Sequence, residues 1–94
     1  MLFVITCNDK PGGADLRKET RPAHLEYLKA TLDHIKYAGP MLADDGESVL
    51  GSLLIVEFDD KAGAEDFAAN DPYAKAGLFA STQIHGWKQV IPGL

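Results

Sequence analysis

What this chain lacks narrows its function before any motif is considered. Cys7 is the only cysteine among 94 residues, so no internal disulfide can form. It closes an apolar run, where a buried reduced thiol is expected, and the reading is a cytoplasmic protein. Basic residues are few: nine Lys and Arg against fourteen Asp and Glu leave a formal charge of −5. That balance argues against nucleic acid and anionic membranes as partners, since clustered cations supply most of the affinity for both. No apolar stretch approaches the ~20 residues of a membrane helix. Met1–Cys7 also lacks the basic flank and the length of a signal segment. There is no glycine-rich phosphate loop. His24, His34 and His85 show no metal-ligand spacing, and Ser52 and Ser81 lack a nucleophile-elbow context. The expectation is a cofactorless protein without a metal site.

What is present is ordinary globular composition, 46% hydrophobic and 24% charged, read as one domain over residues 1–94. A domain of this size buries only about 60–65% of the surface of its unfolded chain. A second copy is a natural way to complete so thin a core.

Leu2–Cys7 is β-branched and apolar on both alternating faces, as in a central strand. Asn8–Gly13 breaks it with turn-forming residues. A helix is expected from about Thr20 to Tyr37, with Thr20 as N-cap and Pro22 in the first turn. Leu25, Leu28, Leu32 and Ile35 form its apolar stripe, and Gly39-Pro40 ends it. Met41–Ala43 reads as a short strand, Asp44–Glu47 as a hairpin turn and Gly51–Phe58 as the strongest strand. Asp59 and Asp60 offer caps to a second helix, Lys61–Ala69. Asn70–Gly77 is a short capped helical turn, and a last strand runs from Phe79 to Ile91, with a bulge or bend expected at Gly86. The order strand, helix, strand, strand, helix, strand gives a ferredoxin-like α+β sandwich, one antiparallel sheet with both helices on one face. Strands one and three are apolar on both faces. Packing the open faces of two sheets together in a homodimer, or a higher assembly, would cover them.

Two positions stand out for chemistry. His24 lies on the border of the first helix's apolar stripe, where partial burial beside a carboxylate tunes an imidazole near neutral pH. It equally suits a histidine that closes the edge of the core. Asp71 precedes Pro72, an N-cap followed by N1, and a cap needs no further role. One carboxylate oxygen can nonetheless cap the turn while the other faces a histidine. Arg21, and Arg17 if the helix reaches back so far, would make a positive entrance for a carboxylate-bearing ligand. The alternative is that both pair with Glu19, Glu26 or Asp15 in solvent. Tyr73 suits either the cleft or the core.

The chain resembles the YCII-related (YciI-like) family. The matching pieces are Arg-Pro-Ala-His-Leu-Glu-Tyr-Leu at 21–28, Ala-Gly-Pro at 38–40 and Gly-Ser-Leu-Leu-Ile-Val-Glu at 51–57. Asn-Asp-Pro-Tyr-Ala-Lys-Ala-Gly-Leu-Phe at 70–79 and Gly-Trp-Lys-Gln-Val-Ile at 86–91 complete the set. The resemblance implies a dimeric α+β barrel and a His–Asp site at His24 and Asp71. It also implies relatives that dehydrochlorinate a chlorinated hydroxyhydroquinone or isomerise muconolactones. The reading is a small lyase- or isomerase-type enzyme acting on a small anionic or enol-like metabolite. In it His24 moves the proton, Asp71 orients it, Arg21 and Arg17 hold the ligand's anionic group, and Tyr73 lines the cleft. A non-catalytic binding or dimerisation module and a cofactor-free monooxygenase are the alternatives.

Overall fold

Eight elements build the computed structural model, which describes residues 1–93. In order they are β1 (Leu2–Asp9), α1 (Ala14–Ala30), a 3-10 turn (Leu32–His34), β2 (Ile35–Leu42), β3 (Val49–Glu57), α2 (Lys61–Ala69), α3 (Pro72–Lys75) and β4 (Phe79–Trp87). The strands form one antiparallel sheet in the order β2-β3-β1-β4. This is the ferredoxin-like βαββαβ sandwich, with β1 and β3 central.

Alternation along β1 decides which face the helices cover. Phe3, Ile5 and Cys7 point inward and are buried, and they sit opposite Val56, Leu54 and Ser52 of β3. Ala64 and Phe67 of α2 and Tyr27 and Leu28 of α1 pack onto this face. Burying these side chains, at roughly 25 cal/mol per Å² of apolar surface, is the main force holding helices to sheet. The opposite face carries Leu2, Val4, Leu53, Tyr37 and Trp87, and among the described residues no helix lies on it.

The first helix departs from its expected span. It starts at Ala14 and stops at Ala30, so Thr20 is an interior residue and Pro22 lies mid-helix. Pro22 is exposed, and its missing N–H leaves the Lys18 carbonyl without a helical donor at a wet surface, where water can serve it. Thr31 ends the helix: its hydroxyl donates to the Tyr27 carbonyl at 2.8 Å and its N–H is shared between Tyr27 and Leu28. The chain therefore turns before the leucine stripe is complete. Leu32 is exposed in the 3-10 turn and Ile35 begins β2. Gly39-Pro40, expected as a helix stop, lies inside β2 instead. An edge strand tolerates the proline because one side of it has no ladder to complete.

Elsewhere the expectations hold more closely. Gly46 takes a positive φ of 74° in the β2–β3 turn, and α2 runs over Lys61–Ala69 with the Asp60 side chain accepting from the Gly63 N–H. The last strand ends at Trp87, short of Ile91, and Gly86 stays in register with Phe3. The irregularity in this ladder falls at Asn8/Asp9.

Candidate active site

Asp71 caps α3 and is buried, at 4% exposure. Its Oδ1 accepts from the Tyr73 N–H at 2.9 Å, while Pro72 takes the next position, where an N–H would be orphaned anyway. Gly77, at φ 78°, reverses the chain after this single turn and lets the Leu78 N–H return to the Tyr73 carbonyl at 3.1 Å. The carboxylate is thus mounted on a rigid, fully bonded corner.

His24 is the buried residue of α1. Its Nδ1 lies 2.9 Å from Oδ1 and 3.1 Å from Oδ2 of Asp71, and its ring stacks on Tyr73 at 3.9 Å with 16° between planes. An ionised carboxylate only accepts, so Nδ1 must be the protonated nitrogen and donate to it. That leaves Nε2. Among the described residues it makes no hydrogen bond, yet no buried side-chain nitrogen or oxygen there is left without a partner. Nε2 therefore opens into the adjoining cavity of about 520 Å³, whose lining includes His24. A neutral imidazole presented this way accepts a proton at Nε2 and can return it.

Arg17, two helical turns before His24, falls on the same face because α1 does reach back to Ala14. Its Nε and Nη2 donate to both oxygens of Asp9, at 2.7 and 2.9 Å, and Nη2 also donates to Ser52 Oγ at 2.9 Å. The guanidinium carbon stands 4.6 Å from the centre of the Tyr73 ring. Burial pulls the Arg17 pKa down, but bonding to Asp9 and its charge prevail and the net shift is upward. Arg17 lines the cavity as a cation already neutralised by Asp9, and not by Asp15, Glu19 or Glu26. Arg21 also lines the cavity, is exposed, and has no carboxylate within ion-pair distance among the described residues. Tyr73 is buried at 1% exposure and still borders the cavity. Burial pushes its phenol pKa up against the opposing pull of Arg17, so it remains a protonated donor at neutral pH.

Two members of this arrangement carried no signal in isolation. Asp9 reads as a turn residue and Ser52 as a strand serine, and only the register of β1 on β3, which sets Cys7 opposite Ser52, brings both to Arg17. An arginine two turns from a border histidine, on the half-buried side of a helix, was itself the available clue, since such a charge calls for a counterion. The other histidines lie apart. His34 stacks on Phe58 and its Nδ1 sits 2.9 Å from the Glu57 carbonyl, while His85 is exposed on the open face of the sheet.

The pattern of the YCII-related domain matches residues 1–88. The chain belongs to the YCII-related family. It is 35% identical to the YciI protein of Escherichia coli O6:H1, over 97% of this chain and all of that one. Among solved structures it is similar to the 5-chloro-2-hydroxyhydroquinone dehydrochlorinase of Burkholderia phenoliruptrix AC1100, determined in complex with 2,5-dihydroxybenzoquinone. The two share 37% identity and a TM-score of 0.87, with 96% of each chain covered. An antibiotic biosynthesis monooxygenase, at 16% identity and a TM-score of 0.55, shares the fold alone. Within the YCII-related family, then, this chain is a small α+β protein akin to an enzyme. Among the described residues no helix is long and apolar enough to cross a membrane.

Proposed function

We propose that this YCII-related protein is a lyase- or isomerase-type enzyme working by general acid–base chemistry through His24 and Asp71. One observation carries the reading: a histidine held at Nδ1 by a buried carboxylate, with Nε2 unbonded and facing a cavity. Nε2 takes a proton from an acidic C–H or O–H of the ligand. Asp71 fixes the ring's direction and offsets the charge that His24 gains. The proton then returns to a neighbouring atom of the same molecule, or departs with a leaving group such as chloride. Neither route changes the ligand's oxidation by an outside agent. Arg21, exposed at the cavity and without a carboxylate partner among the described residues, attracts an anionic group. Arg17 shapes the wall from its place on Asp9. The kinship to a dehydrochlorinase favours a hydroxylated, enolisable ring as ligand.

The test is proton exchange and chloride release. Incubation with 2,5-dihydroxybenzoquinone in D2O is expected to put deuterium on the ring carbons, and chlorinated hydroxyhydroquinone is expected to lose chloride. Both should fall about 10²–10⁴-fold in His24→Gln. Binding of the quinone without exchange or elimination would make the protein a binding module instead.

The same proposal extends to assembly and place. The open sheet face carries Leu2, Val4, Leu53, Tyr37 and Trp87, and we infer that a second copy covers it in a homodimer. Sedimentation at micromolar concentration is expected to give twice the chain mass, and a lone chain would remove the dimer. Buried, unpaired Cys7 fits the reducing cytoplasm, and recovery of the protein from a secreted fraction would contradict that placement.

A further inference from the structure

The cavity beside His24 is larger than one hydroxylated ring needs, and its two ends differ in chemistry. One end is polar: His24, Tyr73, Arg17, Asp9 and Ser52 border it. The other is apolar and runs along the inner side of β2. Ala38 and Pro40 sit opposite Leu54 and Ser52, so they point to the same face as the core, yet both are exposed. This follows from where α1 stops and leans. It packs more closely on α3 than on β2 and ends before Leu32, so among the described residues the inner side of β2 is left only partly covered. Leu25 and Val49, each more than a third exposed, line the same cavity, with half-buried Leu28 and buried Leu54. Small side chains on the strand and leucines on the helix leave a trough that joins the space at His24 Nε2. At about 520 Å³ the whole falls in the range of pockets that enclose ligands of several ring or chain segments.

We infer that the substrate is amphipathic: an anionic hydroxylated ring carrying an apolar substituent of several carbons. The ring lies at His24 and the substituent lies in the trough between Leu25 and Ala38. Three observations support this. His24, itself more than nine-tenths buried, directs an unbonded nitrogen into the shared cavity. The trough belongs to that same cavity, and Leu25, Leu28, Ala38, Pro40, Val49 and Leu54 line it with apolar side chains, with Ser48 as its neighbouring hydroxyl. Arg21 and Lys18 on the helix and Glu47 on the hairpin also line the cavity, and all three are exposed to solvent, unlike Leu28 and Leu54. The inference rests on the dyad reading for the position of the ring, and on the trough alone for the substituent.

The experiment compares 2,5-dihydroxybenzoquinone with its 3-pentyl derivative, by calorimetry and by the NMR signals of the His24 ring. Each buried methylene is worth roughly a fourfold gain, so a partly buried pentyl group is expected to bind about 10- to 100-fold tighter. It should also show a more negative heat-capacity change. Ala38→Trp fills the trough at an exposed strand position and should bring the two affinities within about threefold of each other. Leu25→Gln, on the exposed side of α1, should remove a smaller part of the preference by the same route. Equal affinities in the unaltered protein, with His24 still perturbed by the ring, would overturn the trough and leave the dyad standing. A pentyl preference abolished by Ala38→Trp, with no change at His24 for either ligand, would keep the trough and overturn the dyad. Failure of both ligands to bind at millimolar concentration would overturn both.

Discussion

Among the described residues two acids are paired with nitrogen bases beside Tyr73, largely out of water, and the pairs differ in what they leave free. Asp9–Arg17 and Asp71–His24 are equally withdrawn from water, with side chains 9% and 12% exposed in the first and 6% and 11% in the second. Both are bidentate in the sense that each nitrogen base reaches both carboxylate oxygens. Burial and geometry therefore do not separate them. Proton chemistry does. A guanidinium keeps its protons throughout the working pH range, and Asp9 holds it there more firmly still. Arg17 consequently works as a strut that ties β1, β3 and α1 together. An imidazole fixed at one nitrogen still has the other, and His24 turns that nitrogen to the cavity. Of two similar pairs, the one with an unused lone pair is the one we propose to be reactive.

The largest effect that would break this comparison is on turnover. Asp71→Asn preserves the cap, since asparagine caps nearly as well, and should stay within about 1 kcal/mol of the parent in stability. Its exchange and elimination rates should nevertheless fall about 10²-fold or more, because the orienting charge is lost. Asp9→Asn should do the reverse. Stranding a mostly buried guanidinium costs about 2–3 kcal/mol, seen as a Tm lower by about 10 °C or more, while turnover of the folded fraction falls less than about tenfold. A variant of Asp9 that stays stable and loses turnover as Asp71→Asn does would erase the distinction between strut and dyad.

A smaller effect is expected from alkali. Burial raises the Cys7 thiol above its usual 9.0, against a partial offset from the Thr82 hydroxyl, and raises the phenols of Tyr73 and Tyr27 above 10.0. Each group has a folded pKa above its unfolded one. Its contribution is complete below the unfolded value and is lost as pH rises through the folded one. Chemical denaturation at a series of pH values should show no loss from these groups up to about pH 9 and a decline above it. Cys7→Ala should soften the first part of that decline. The smallest effect belongs to Tyr73→Phe. It keeps the ring stacked on His24 and beside Arg17 and removes only the hydroxyl, so stability should change by about 1 kcal/mol at most.

The sequence carried the sheet and the corner at Asp71 better than it carried α1. Caps are local: Asp60, Asp71, Pro72 and Gly77 act within a few residues, and each sits where its side chain or backbone preference puts it. The span of α1 is not local. Its leucine spacing continues beyond Ala30, and only tertiary pairing of Ile35 with Val56 draws those residues into β2. Pro22 misled for the same reason, because a preference for the first turn yields when the whole face back to Arg17 finds partners. His24 and Asp71 were each legible as candidates, while their contact depended on α1 leaning on α3. Asp9 and Ser52 depended entirely on strand register. The apolar end of the cavity was hidden altogether, since it is made by the gap between the end of α1 and β2, which only the tertiary packing sets.

The most direct test of the account is the protonation pattern of the His24 ring, read from its nitrogen–proton NMR couplings in the ligand-free protein above the range where imidazole is charged. The account predicts the Nδ1–H tautomer, with that proton protected from exchange by Asp71 and released in Asp71→Asn, and an unprotonated Nε2 that responds when 2,5-dihydroxybenzoquinone is added. An Nε2–H tautomer, indifferent to Asp71→Asn and to the quinone, would contradict it.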